Sequence, residues 1–205
     1  MSQHSSKQEG TRKQESKSSL MLSILIVILI AVFSPELLDF DYTKDQVSDP
    51  EMTEIIQAFD GSNYDVLPEL KRIPVDFVRA QDGDTITVKL GDDDIRVRYL
   101  MIDTPEMNYN QAEGPEPYAE AALKRNQQLL EEAEQVYVEL DIGPATDDYH
   151  RLLAYVYADD VLISEKLLQE GLGTVRYFNP PNNSYEELLR SAQEEAEAAS
   201  LNLWQ

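Results

Sequence analysis

The sequence predicts an α+β protein built on a small closed β-barrel, and three observations carry that prediction. Between Ile73 and Tyr157, apolar residues recur at every second position in short runs, the period of half-buried strands. Turns rich in glycine and aspartate separate the first three runs. Helical patterns fall between the third and fourth strands and after the fifth, which suits five short strands with long crossovers closed as a Greek-key barrel with three helices.

Three segments precede the barrel. Residues 1–19 form a polar, low-complexity tail with Lys7, Arg12, Lys13 and Lys17. Leu20–Phe33 is apolar except for Ser23. At about 1.5 Å per residue this helix would span about 21 Å, short of a roughly 30 Å hydrocarbon layer. A basic flank before such a run marks residues 20–35 as a signal-peptide core or a short membrane anchor. Val32-Phe33-Ser34 has the small ends of a cleavage site, but Pro35 follows directly, so both readings stand. In either case the positive flank stays inside and the remainder is exported. An extracellular protein, secreted or tethered to the membrane by its N-terminal segment, is therefore expected. Residues 36–71 read as a spacer. Within it, Asp49-Pro50 resembles an N-cap followed by a first-turn proline, and Met52, Ile55, Ile56 and Phe59 keep helical spacing up to Asp60-Gly61.

Residues 72–205 are the folded domain. Val75, Phe77 and Val78 lead into the Asp82-Gly83-Asp84 turn. Ile86, Val88 and Leu90 alternate with polar residues, as do Ile95, Val97 and Tyr99, with Gly91-Asp92-Asp93 as the hairpin loop between them. Residues 107–117 are a polar loop, and Tyr118–Ala133 is rich in Ala, Leu and Glu and reads as a helix. Val136–Leu140 and Leu152–Tyr157 are the last two strands, and Ile163–Glu170 is a short helix stopped by Gly171. Ser184-Tyr185-Glu186-Glu187 has the form of a capping box. The helix it opens places Leu188, Leu189, Ala192, Ala196 and Ala199 on its inner stripe, and Trp204 is expected to close the chain against the core. Five strands in this arrangement form a barrel of the OB type, a fold that commonly presents one face to nucleic acid.

Charge alone argues the other way. The whole chain carries −22. Its first 35 residues carry +2, so residues 36–205 carry −24. Nucleic-acid binders are usually basic, because counterion release from phosphates drives their association. An acidic surface favours solubility and suits high salt, where screening falls to a few ångströms and an acidic protein can approach a phosphate backbone. The absence of cysteine excludes disulfides and thiol catalysis.

The residues that carry chemistry lie at strand ends. Arg98-Tyr99-Leu100-Met101-Ile102 runs abruptly into Asp103-Thr104-Pro105-Glu106. Asp84 closes the upstream acidic turn, and Tyr149-His150-Arg151 lies downstream. Asp84, Asp103 and the Thr104 carbonyl are hard oxygen donors of the kind calcium takes. Arg98 and Arg151 are candidate phosphate ligands, since a guanidinium fork matches two phosphate oxygens and stays charged. Two fixed cations and a metal would stabilise the charge that builds up on a pentacoordinate phosphorus. Glu106 is the third candidate carboxylate. Arg98 and Asp103 are five residues apart, so a bulge or turn must intervene to bring them together. Taken singly, each residue also has a plainer role as a turn, cap or surface group.

Several ordered pieces resemble the thermonuclease family, the staphylococcal-nuclease-like calcium-dependent nucleases. They are Asp82-Gly83-Asp84-Thr85, the run from Arg98 to Glu106, and Thr146 to Arg151 followed by Leu153 to Asp159. Gln169-Glu170-Gly171-Leu172, Pro181-Asn182-Asn183 and Leu201-Asn202-Leu203-Trp204 complete the set. The resemblance covers Val75–Trp204. It implies an OB barrel with three helices that hydrolyses DNA and RNA at the 5′ P–O bond and leaves 3′-phosphate ends. It implies Asp84, Asp103 and the Thr104 carbonyl as ligands of Ca2+, Glu106 as the general base, Arg98 and Arg151 as phosphate clamps, and Tyr149 and Tyr177 as nucleotide contacts. A monomer is expected. Asp148 stands where well-known members have lysine, and His150 where they have glycine. The alternative to an enzyme is a non-catalytic OB module at the cell surface that binds nucleic acid or protein. A degenerate copy would lose Glu106 or an arginine, and this chain keeps both arginines and all three carboxylates.

Overall fold

The computed structural model describes residues 50–109, 111–112 and 114–205. The basic tail, the hydrophobic segment and the spacer up to residue 49 lie outside the described residues.

Strand β1 (Arg72–Ala80) pairs antiparallel with β2 (Thr85–Leu90), and β2 with β3 (Asp93–Tyr99). On its other edge β1 pairs with β5 (Val136–Glu139), and β5 with β6 (Leu152–Ala158). A parallel pairing of β3 with β6, Val97 opposite Leu152 and Tyr99 opposite Ala154, joins the two ends of this five-strand order and closes the barrel. The structure is thus the expected OB-type α+β barrel. Alternation places Ile86, Val88, Val97, Val138 and Val156 inside, all of them fully buried. At roughly 1.5–3 kcal/mol for each buried aliphatic side chain, this interior is the main source of stability.

The described residues hold four α-helices. Helix α1 (Pro50–Ala58) starts on its proline, and Met52, Phe59 and the following Leu67 join the core cluster. Helix α2 (Ala119–Glu132) follows the polar loop, α3 (Ile163–Gln169) ends before Gly171, and α4 (Glu186–Ala198) is the last. Two further short pairs complete the sheet structure. β7 (Val161–Leu162) extends β6, and β4 (Ile102–Asp103) pairs with β8 (Thr174–Val175). Among the described residues no helix is long and apolar enough to cross a membrane.

A bulge between Phe77 and Arg79 shifts the β1–β2 register and leaves Val78 46% exposed. Two local expectations are corrected. Ser184 does not cap the last helix. Its amide and hydroxyl donate to Asp141 instead, at 2.9 and 2.6 Å, so the helix starts at Glu186, with Leu188 and Ala199 turned outward. Trp204 is only half-buried, in a short 3-10 turn held to the α3 end by Leu203 N–H donating to the Gly171 carbonyl.

Candidate active site

The site is built on the closing seam of the barrel. Arg98 lies on β3, opposite Thr85 of β2 on one side and Leu153 of β6 on the other. It points away from the interior with its alternation partner Arg96, yet it is only 8% exposed. After Tyr99 the chain turns through Leu100 and Met101, with Met101 at φ +60°, and delivers Asp103 at the end of β4. This is the turn that the five-residue spacing of Arg98 and Asp103 requires.

Asp84 is nearly fully buried at the start of β2. Its carboxylate accepts the Thr104 amide at 2.7 Å, the Thr104 hydroxyl at 3.0 Å and the Thr85 hydroxyl at 3.2 Å, and it forms an ion pair with Arg98 Nη1. Arg98 Nη2 donates to Asp103 Oδ1 at 3.2 Å. One guanidinium therefore bridges the two aspartates. Asp103 also lies 3.5 Å from Arg176 and accepts the Tyr177 hydroxyl at 3.3 Å. Thr104 meets the site through its amide and hydroxyl, which fix the orientation of Asp84.

Gly83 makes the Asp84 position possible by close approach. A Cβ there would lie 2.7 Å from the Thr104 side chain and 2.8 Å from Ala122 on α2. Asn126 of α2, fully buried, accepts the Tyr99 hydroxyl at 2.8 Å and donates to the Asp82 carbonyl at 3.0 Å. The helix thus clamps the acidic turn against the end of β3.

Asp84, Arg98, Glu106, Tyr149, Arg151 and Tyr177 line one cavity of about 340 Å³. Asp82 and Asp147 line it too. Burial, then the Asp84 charge, push the Asp82 carboxyl up to about 7. Burial and the Asp84 charge likewise raise the Glu106 carboxyl, with Arg98 opposing them. Negative charge is therefore crowded around a single bridging cation.

Arg151, just before β6, is held by Asp147. The carboxylate accepts Arg151 Nε and Nη2, each at 2.7 Å, and the Arg151 amide at 2.9 Å. Its Nη1 edge has no partner among the described residues. Tyr149 is 72% exposed with the Arg151 guanidinium 5.6 Å from its ring, and Tyr177 is 55% exposed with Arg98 at 5.4 Å. His150 has φ +56°, a conformation in which glycine is at ease. Asp148 is exposed on the same loop.

The structure therefore gathers the expected site residues at one barrel end. Asp82, Asp147, Gly83 and Asn126 went unassigned in the sequence. The Asp82-Gly83-Asp84 turn was the available signal for two of them, while nothing in the sequence singles out Asn126.

The sequence pattern of the staphylococcal nuclease homologues matches residues 96–205. The chain belongs to this family. The match covers the site residues from Arg98 onward, and Asp84 precedes it. The SPbeta prophage-derived endonuclease YokF of Bacillus subtilis is 41% identical over 132 residues, 64% of this chain and 44% of its own length. Endonuclease YncB of the same organism is 41% identical over 134 residues, 65% of this chain and 63% of its own length. The thermonuclease of Staphylococcus intermedius is 38% identical over 127 residues, 62% of this chain and 73% of its own length. This chain thus spans less than two thirds of the length of both Bacillus relatives.

Asp84 and Asp103 are hard oxygen donors already brought to either side of one positive group, and this is the chemistry a divalent ion of the calcium type requires. Among the described residues no group of three or more acidic or histidine side chains forms a metal cage by itself. The protein would therefore supply part of the coordination shell and leave the rest to water or backbone carbonyls.

Proposed function

We propose that the chain is an exported nuclease that uses Ca2+ to hydrolyse phosphodiester bonds of DNA and RNA at the 5′ P–O bond, leaving 3′-phosphate ends. The observation that supports this best is the convergence of Asp84, Arg98, Glu106 and Arg151 on one cavity. A fold-stabilising role does not account for it, because three carboxylates crowding one guanidinium oppose one another. Exported localisation rests on the hydrophobic segment of residues 20–35, and a monomer is retained as the working state.

Asp84 and Asp103, with the Thr104 carbonyl, would hold the ion. When bound, it would neutralise a phosphate oxygen and polarise the P–O bond. The chain's own groups supply the remainder. Arg151 offers its unpaired Nη1 edge to a phosphate oxygen, and the Asp147 contacts fix its plane. Arg98, once relieved of part of its pairing with Asp84 and Asp103, offers a second cation to the charge that builds up at phosphorus. Glu106, in the same cavity with its carboxyl raised by burial, takes the proton of an attacking water. Tyr149 and Tyr177 present exposed ring faces for flanking bases.

A calcium-titrated nuclease assay at several salt concentrations tests this reading. Degradation of plasmid DNA and of RNA should need calcium and stop with excess chelator, and the products should carry 3′-phosphates removable by phosphatase. Cleavage indifferent to chelation would refute the metal role, and 5′-phosphate products would refute the bond assignment. N-terminal sequencing of the protein recovered from the medium and from membranes tests the localisation.

A further inference from the structure

A second cleft, of about 380 Å³, lies beside the catalytic cavity. Arg96 and Ile95 of β3 form one wall, Thr146 and His150 another, and Gly61, Ser62 and Tyr64 of the segment after α1 form the third. Gly61, Ser62 and Tyr64, like Asp84, precede the residues 96–205 matched by the family pattern.

One loop separates the two cavities. Tyr149 and Arg151 line the first, and His150 between them lines the second. Arg96 ties the loop down from the cleft side, its Nη2 donating to the Tyr149 carbonyl at 3.1 Å. Arg96 also shares a strand face with Arg98, two residues along, so an unbroken face of β3 runs from the catalytic cavity to the cleft.

Charge gives this placement its meaning. In a chain of −22, most arginines of the described residues pair with a carboxylate, among them Arg72, Arg98, Arg125, Arg151, Arg176 and Arg190. Arg96 is exposed and has no carboxylate within ion-pair distance. Asp94 lines the cleft and stands opposite Lys89 in the β2–β3 register, while the Asp60 and Asp93 carboxylates lie behind the Gly61–Tyr64 wall, Asp60 holding Ser62 and Asp93 lying against Gly61. Of the other lining residues, Tyr64, Thr146 and His150 carry side-chain groups that can donate a hydrogen bond to an anion, whereas the Ser62 amide and hydroxyl already donate to Asp60. A cation left without a carboxylate where acidic partners are abundant, with the Tyr64 and Thr146 hydroxyls and the His150 imidazole lining the same cleft, suits a phosphate.

We propose that the Arg96–His150 cleft is a second phosphate subsite, which takes the phosphodiester backbone of a nucleic-acid strand beyond the bond being cut. The proposal rests on the nuclease reading of the neighbouring cavity. It gives the strand a positive anchor on the far side of the loop that carries Asp148, where the catalytic side has lost attraction. Contacts of this kind fix register and add affinity without reading sequence.

Binding of two single-stranded DNA probes to the full chain carrying Glu106→Gln, which slows cleavage by about 10²–10⁴-fold, tests this by fluorescence anisotropy with calcium present, read before the probes are cut. A dinucleotide fills the catalytic cavity alone, and an oligomer of about 12 nucleotides covers a whole barrel face. Arg96→Ala should weaken the oligomer about tenfold and leave the dinucleotide unchanged. It should also lower the slope of log K against log salt by about 0.7. His150→Gly, which suits the backbone there, should weaken the oligomer about threefold and again spare the dinucleotide. Equal losses on both probes would mean that Arg96 acts through the 149–151 loop, and this would overturn the subsite. So would unchanged oligomer binding in both variants. If neither probe binds the Glu106→Gln parent, the nuclease reading falls and the subsite falls with it; if both bind and the variants are silent, only the subsite falls.

Discussion

Two buried aspartates of this barrel do opposite jobs. Asp141, 2% exposed, accepts the Ile142 amide, the Ser184 amide and hydroxyl, and the Tyr155 hydroxyl at 3.1 Å. These donors are all neutral. Asp84, 4% exposed, also accepts neutral donors from Thr85 and Thr104, but it faces Arg98 and stands among Asp82, Asp103 and Glu106. Burying a carboxylate costs several kcal/mol unless it is well partnered. At Asp141 that cost is offset by donors that tie the loop after β5 to the head of α4, which is a structural use. At Asp84 neighbouring carboxylates raise the cost, and a fold does not need such an arrangement. Where like charges are brought together with a cation, chemistry is the better explanation.

Substitutions can break this contrast. The largest effect is expected at Glu106. Glu106→Gln should lower the rate of nuclease turnover by about 10²–10⁴-fold while nucleotide affinity stays within a few-fold. Its thermal midpoint should hold or rise, because the change removes one charge from a crowded acidic group. A near-normal rate would remove Glu106 as the base, and a collapsed midpoint would make it structural.

Asp141→Ala should show the reverse pattern. It leaves buried donors unsatisfied and should destabilise the fold by about 2–4 kcal/mol in a denaturant titration, with activity per folded molecule unchanged. A loss of activity without a loss of stability would erase the distinction between the two aspartates.

A smaller effect appears in acid. Burial raises the Asp147 carboxyl, but the Arg151 amide and guanidinium outweigh it and hold the group below its usual value. Because the folded value is depressed, the stabilisation is present above the unfolded value of about 4 and is lost as pH falls through the lower, folded one. Asp147→Asn should therefore flatten the stability–pH curve below about pH 4, measured by urea unfolding at a series of pH values. An unchanged slope would mean that the Asp147–Arg151 contact contributes nothing to stability.

The smallest effect concerns the exposed Asp148. Asp148→Lys should tighten single-stranded DNA binding by a few-fold at low salt and lose that gain at high salt. Unchanged or weaker binding would place Asp148 outside the path of the strand.

The contrast also shows where sequence is legible. Strand alternation made the barrel readable, because inside and outside positions differ in polarity at every second residue. Asp84, Arg98, Asp103 and Glu106 were readable because carboxylates and arginines at strand tips have little to do in a core. Asp147 and Asp148 are adjacent and chemically identical, and only the folded loop turns one onto Arg151 and the other to solvent. Ser184 carried a convincing capping signal, but Asp141, distant in sequence, competes for the same amide and hydroxyl. The bulge between Phe77 and Arg79 was not legible, because a bulge leaves the composition of a strand unchanged while shifting its register.

The parallel β3–β6 pairing has a further consequence. Residues more than fifty apart meet along it, Arg98 opposite Leu153, and of the two arginines that face the cavity Arg98 lies on β3 and Arg151 immediately precedes β6. A chain with a gaping seam cannot hold its cations in register. Catalytic competence should therefore reappear during refolding only when this last long-range zip has closed, which would make recovered cleavage a clock for the completion of the barrel.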